Sequence, residues 1–272
     1  MSRSPVNSPR ITRRWPFWLG FPLLMGVAAA VALLVYQLSD GRKASAPGDA
    51  APAPVVDPVV ATINGEPVSA GEYRLVMERK VSLVYSYFKE HQNLDDHLGY
   101  WSENTGPDSP LAKLRQMTRE ELVRIKVYQG QAKAKGLIQD ATFATFHSDF
   151  ERENARRALA LAARQVVYGP PQYRETSYYY IRFGDLVFKL KQAMAKEIQP
   201  QITDAEVAAF YKENKATLGD KSLADSRPGI LTFLSTKAAG KQLDALCASA
   251  KVDFNEVLIR PIVPRIDPPQ GS

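Results

Sequence analysis

One cysteine, Cys247, leaves this chain of 272 residues without an intramolecular disulfide or a cysteine-rich zinc site. Histidine is almost as scarce, and His91, His97 and His147 are little material for metal ligation or acid–base work. There is no G-x-x-x-x-G-K-[ST] phosphate loop, no G-x-S-x-G elbow and no H-E-x-x-H helix. ATP-driven action and the commonest hydrolase chemistries therefore have no motif to rest on. Asp95–Asp96 and Glu120–Glu121 are adjacent pairs, which on a helix point about 100° apart and do not converge on a substrate. His91 and His97 bracket the aspartates, but six residues apart they share no helix face, and they read as solvated loop residues. No catalytic residue, cofactor site or metal ligand is assigned.

The chain also lacks a basic body. Lys and Arg number 35 against 29 Asp and Glu, a formal charge of +6. Residues 1–43 hold Arg3, Arg10, Arg13, Arg14, Arg42 and Lys43 against Asp40 alone, so nearly all of the excess sits there. A near-neutral remainder has no footprint for a nucleic-acid partner.

What is present begins with an apolar run. Trp15 to Tyr36 carries no charge and is long enough for a helix of roughly 33 Å, against a hydrocarbon core of roughly 30 Å. Four arginines before it place residues 1–14 in the cytoplasm, residues 15–38 across the cell membrane in a single pass, and the rest outside. Ala44-Ser45-Ala46 has the form of a signal-peptidase site, but the run exceeds the usual h-region of about 7–15 residues and Pro47 follows at once, so a retained anchor is favoured. Residues 39–58, rich in Ala and Pro, read as an extended linker.

The body, 59–272, reads as mainly α with a small β-hairpin. Val59 to Ile63 is strand-like and ends at Asn64-Gly65, a hairpin signal. Ser69-x-x-Glu72 is a capping box opening a helix to about Gln92, with Tyr73, Val76, Met77, Val81, Val84 and Phe88 inward. A second helix is expected from Leu111 to Lys135, stopped by Gly136, and a third from Asp140 to Val167, whose mixed charges read as a solvated face. Glu175 to Ile198 carries a stripe of Tyr179, Phe183, Leu186, Leu190, Met194 and Ile198, the pattern of a core helix. Thr203-x-x-Glu206 is a second capping box, Ser235 to Lys251 a last helix holding Cys247 as a small hydrophobe, and Val257 to Val263 a strand expected to pair with Val59 to Ile63.

Val60 to Ser69, Glu120 to Leu137, and Ile202 to Val207 with Phe210 to Asn214, taken in that order, resemble the SurA/PrsA group of extracytoplasmic foldases. The resemblance implies a SurA-N-like helical chaperone domain, with the last segment leading where a parvulin-type prolyl isomerase domain normally follows. Too little chain follows Lys215 for such a domain, which needs on the order of ninety residues, and no histidine occurs after His147. The expectation is a membrane-anchored extracytoplasmic chaperone that binds unfolded secreted polypeptides without ATP and needs no cofactor. A truncated peptidyl-prolyl isomerase or a tethered scaffold for one partner is the alternative. Trp101, Tyr178, Tyr179, Tyr180 and Phe183 are the candidate polypeptide-binding residues, because rings give large contact area at small entropy cost.

Overall fold

Asn64-Gly65 does what the sequence demands of it. Both residues take positive φ, 52° and 84°, the combination of a two-residue hairpin turn that Gly and Asn tolerate best. Strand β1 (Val59–Ile63) thereby folds back on β2 (Glu66–Ser69), and Val60, Ile63 and Val68 enter the core. The structure is a computed structural model that describes residues 57–97, 99–102 and 106–265, which belong to one compact unit starting at Val56. The expected cytoplasmic tail, membrane helix and nearly all of the linker lie outside the described residues. Among the described residues no helix is long and apolar enough to cross a membrane.

The described chain is mainly helical with one three-stranded antiparallel sheet of order β2-β1-β3, β3 being Val252–Phe254. Helix α1 (Ala70–Gln92) starts on the Ser69 cap and stops at Asn93, whose φ is 51°. Helix α2 (Pro110–Ala134) begins with Ser109 as cap and proline in the first turn, where its missing N–H costs nothing. Its exit is a Schellman motif: Leu137 N–H donates to the Ala132 carbonyl and Gly136 N–H to that of Lys133. The two helices pack along each other through Val76, Met77, Leu114, Leu122 and Ile125.

Helix α3 (Phe143–Ala162) is shorter than its charge pattern suggests. Arg164 takes φ 56°, with Gln165 N–H donating to the Ala160 carbonyl and Arg164 N–H to that of Leu161. This is a helix-ending motif with arginine where glycine is usual, which sequence inspection passes over. Its charged face is also not wholly solvated, since Arg157 is buried.

Helix α4 (Glu175–Ile198) buries the whole expected stripe and leads through a 3₁₀ turn (Gln199–Gln201) to α5 (Asp204–Glu213). There the capping box is complete: Thr203 Oγ1 accepts from Glu206 N–H while the Glu206 carboxylate accepts from Thr203 N–H. A short α6 (Lys215–Leu218) precedes α7 (Leu223–Ala248), which begins twelve residues before the expected Ser235. Pro228-Gly229 reads as a break, yet Pro228 lies in the second turn, where it deletes one intrahelical donor and the Ser222 cap holds the start. Helix α7 lies along α4 and adds Ile230, Ala239 and Leu243 to the buried residues.

The chain does return to β1, but through different residues. Strand β3 is Val252–Phe254, paired Ala61↔Phe254 and Ile63↔Val252, not Val257 to Val263. Asn255 accepts from Leu258 N–H and caps a four-residue helix, α8 (Glu256–Ile259). Ile259 and Ile262, three apart, both bury. The β-branched content there serves helical spacing, so the expected strand is corrected to this one.

Candidate functional site

The five candidate polypeptide-binding residues are mostly interior. Trp101 packs on Tyr85 and Tyr100 at ring-centroid distances of 5.2 and 4.9 Å, against the outgoing end of α1. Tyr178, Tyr179 and Phe183 are buried, Tyr179 meeting Phe146 of α3 edge-on at 4.9 Å. Tyr180 alone is partly exposed, with the Arg79 guanidinium 4.8 Å over its ring. Two consecutive tyrosines bury because α3 covers one flank of α4 and α1 and α2 cover another. Four of these five rings are buried between elements, and only Tyr180 offers partial exposure to a client.

A polar cluster that the sequence conceals sits beside them. Ser69 Oγ accepts from Glu72 N–H at 3.2 Å, but the Glu72 carboxylate does not return to complete a capping box. It turns inward, where Tyr179 Oη donates to Oε1 at 2.7 Å and Lys126 Nζ lies 2.8 Å from Oε2. Lys126 and Glu72 side chains are each 1% exposed. Burial pushes the Glu72 carboxyl above its ordinary range, and the Lys126 ammonium pulls it back. Burial, then the Glu72 charge, drives the Tyr179 phenol well above 10. The cluster ties α1, α2 and α4 together in a dry interior, which makes it a structural clamp.

A phenol whose pKa is raised by folding contributes stability in full below its unfolded value near 10, and loses it as pH climbs through the folded value. Tyr179→Phe is therefore expected to cost about 1.5–3 kcal/mol at neutral pH, from the lost hydrogen bond to a charged group, and to flatten the alkaline decline. Urea unfolding from about pH 8 to about pH 11 measures both. A decline as steep in the variant as in the parent assigns the alkaline limb to other groups.

The open site lies between α5 and α7. Phe210, Ile230 and Phe233 wall a groove of about 680 Å³, with the two rings 5.0 Å apart. Phe233 is half exposed, and Ser226, which also lines the groove, is buried with no partner for its hydroxyl among the described residues. Gly229 adds open space, since a Cβ there would meet nothing within 4 Å. Glu213, Lys221, Asp225 and Lys237 line the rim, two of each sign. Such a groove suits an extended apolar segment with a polar atom for Ser226, and its balanced rim selects little by charge. Phe233 and Ser226 escaped notice because the expected helix began at Ser235; the legible signal was the i, i+3, i+7 spacing of Ser226, Gly229 and Phe233.

Among the described residues no group of His, Cys, Asp and Glu is placed to hold a metal ion. No family model, curated protein or solved structure matches the chain. The SurA/PrsA resemblance rests on the quoted residues of the sequence.

Proposed function

We propose that this protein is a membrane-anchored extracytoplasmic chaperone that binds unfolded secreted polypeptides passively, and that the α5–α7 groove takes their apolar side chains. The observation that carries the reading is the half-exposed Phe233 beside Phe210, over an unpartnered Ser226 hydroxyl and inside a rim of cancelling charge. A holdase needs that combination of apolar contact, hydrogen bonding to backbone and weak charge preference. Residues 215–265 supply α6, α7, β3 and α8, and β3 joins the same sheet as β1. That arrangement favours a chaperone module over an appended isomerase domain.

The full chain in detergent is expected to suppress aggregation of several unrelated unfolded proteins at stoichiometric amounts. Phe210→Ala/Phe233→Ala should weaken this by roughly tenfold or more, since one large apolar contact is worth about 1.5–3 kcal/mol. Light scattering of the client reports it. Retention of one native partner without suppression would establish the scaffold instead, and turnover of a proline peptide would establish the isomerase.

A further inference from the structure

Helix α3 runs antiparallel to α4, as successive contacts show: Phe146 with Tyr179, Phe150 with Tyr178, and Asn154 with Tyr173. Among the described residues its main packing is on α4, and the loop 163–174 that joins the two helices forms the tip of this arm. A loop of that length would ordinarily collapse its apolar side chains. This one is pinned. The buried Arg157 guanidinium donates to the carbonyls of Tyr168 and Pro170 at 3.0 and 2.7 Å and to Tyr173 Oη at 2.8 Å, and lies 4.1 Å from the Tyr173 ring centroid. Asn154 adds a two-way pair with the Tyr173 backbone. Yet the pinned loop leaves Tyr168 86% and Val166 79% exposed, with Leu159 73% exposed on the last turns of α3. Beside it a groove of about 430 Å³ is walled by Ala155, Ala158, Leu161 and Pro171.

Charge decides what such a tip fits. Glu153 is engaged by Arg156 and Arg157, and Asp149 by Arg152 and Arg182. Arg164 and Arg174, at the two ends of the loop, are exposed and have no ion pair among the described residues. Among the described residues Glu151 and Glu175 meet only His147, but six arginines against four carboxylates over residues 147–182 leave the region net positive, with Arg164 close in sequence to the exposed valine and tyrosine. Tyrosine with arginine is the pairing that settles at the headgroup level of a bilayer, ring in the interface and guanidinium on phosphate. An unfolded polypeptide offers no fixed negative field to match.

We infer that the arm tip is an interfacial contact for an anionic lipid surface, with Tyr168 and Val166 entering the headgroup layer and Arg164 and Arg174 binding lipid phosphates. The inference extends the anchored-chaperone reading and does not depend on it.

The test uses the full chain as Gln165→Cys/Cys247→Ala, carrying an environment-sensitive fluorophore on the exposed loop position 165. Vesicles of phosphatidylcholine alone are compared with vesicles of equal parts phosphatidylcholine and phosphatidylglycerol. Only the anionic vesicles are expected to shift the emission to the blue and to allow quenching by spin-labelled lipid. Adding Arg164→Ala/Arg174→Ala should raise the vesicle concentration required by roughly thirtyfold, since each arginine near an anionic surface is worth about fivefold. An unchanged emission on anionic vesicles overturns the inference. So does a blue shift caused by an unfolded polypeptide in the absence of lipid, which would make the tip a client site. Flotation on phosphatidylcholine vesicles reads the N-terminal anchor separately, because an inserted helix needs no anionic lipid.

Discussion

Lys126→Ala is expected to lower the stability of the fold by about 3–5 kcal/mol, a third or more of what a domain normally has. The argument concerns the charge left behind. With its ammonium gone, Glu72 keeps the Tyr179 hydroxyl but has no cation, at a site where the carboxylate is 1% exposed. The carboxyl can escape by taking up a proton, and its pKa is already raised by burial. The sign follows: an acid whose folded pKa is raised gives its full stability below the unfolded value near 4.3 and loses it as pH rises through the folded value. The deficit of Lys126→Ala should therefore be smaller near about pH 5 than near about pH 8. Glu72→Met/Lys126→Met/Tyr179→Phe removes all three polar partners at once and should recover most of the loss, because no buried group is stranded. Urea titrations of the three proteins at both pH values decide it. A loss under about 1 kcal/mol for Lys126→Ala would mean that water reaches the carboxylate.

Ending the chain at Leu218 is expected to abolish cooperative folding. The cut removes α7, β3 and α8, and with them Ile230, Leu243, Ile259 and Ile262, each at most 3% exposed. Burying a large aliphatic side chain is worth about 1.5–3 kcal/mol, so these four represent about 6–12 kcal/mol, comparable to the entire stability of a typical domain. The cut also uncovers the Leu190 and Met194 stripe of α4 and leaves the outer edge of β1 unpaired. Thermal melting followed by circular dichroism should show no sharp transition. A truncated chain that melts cooperatively would make the C-terminal segment an accessory, and would reopen the question of what it does there.

Much of this fold was legible because its signals are local. Asn64-Gly65, Ser69, Gly136 and the Thr203–Glu206 box mark turns and caps by side-chain chemistry that acts within a few residues, and the α4 stripe repeats with helical period. The misreadings share the opposite cause. Glu72 looks like a cap residue until Tyr179, 107 positions away, draws it inward. Arg157 looks solvated until the returning loop supplies carbonyls for it. The aromatic groups around Tyr178 and around Trp101 have the composition of a binding surface and the position of a core, and composition cannot tell those apart. Phe233 shares a helical spacing with Ser226 and Gly229, but only the packing of α5 beside α7 turns that face into a groove.

Asn64 closes the sheet as well as the hairpin. Its N–H donates to the Lys251 carbonyl, and its side-chain oxygen accepts from Lys251 N–H, across a separation of 187 residues. At synthesis rates of about 5–20 residues per second, the hairpin precedes its third strand by about 10–40 s. For that interval β1 is an edge strand open to any extended chain nearby, including a second nascent copy. Completing the fold is thus a race between the arrival of β3 and a stranger, and the long sequence separation makes the native partner slow.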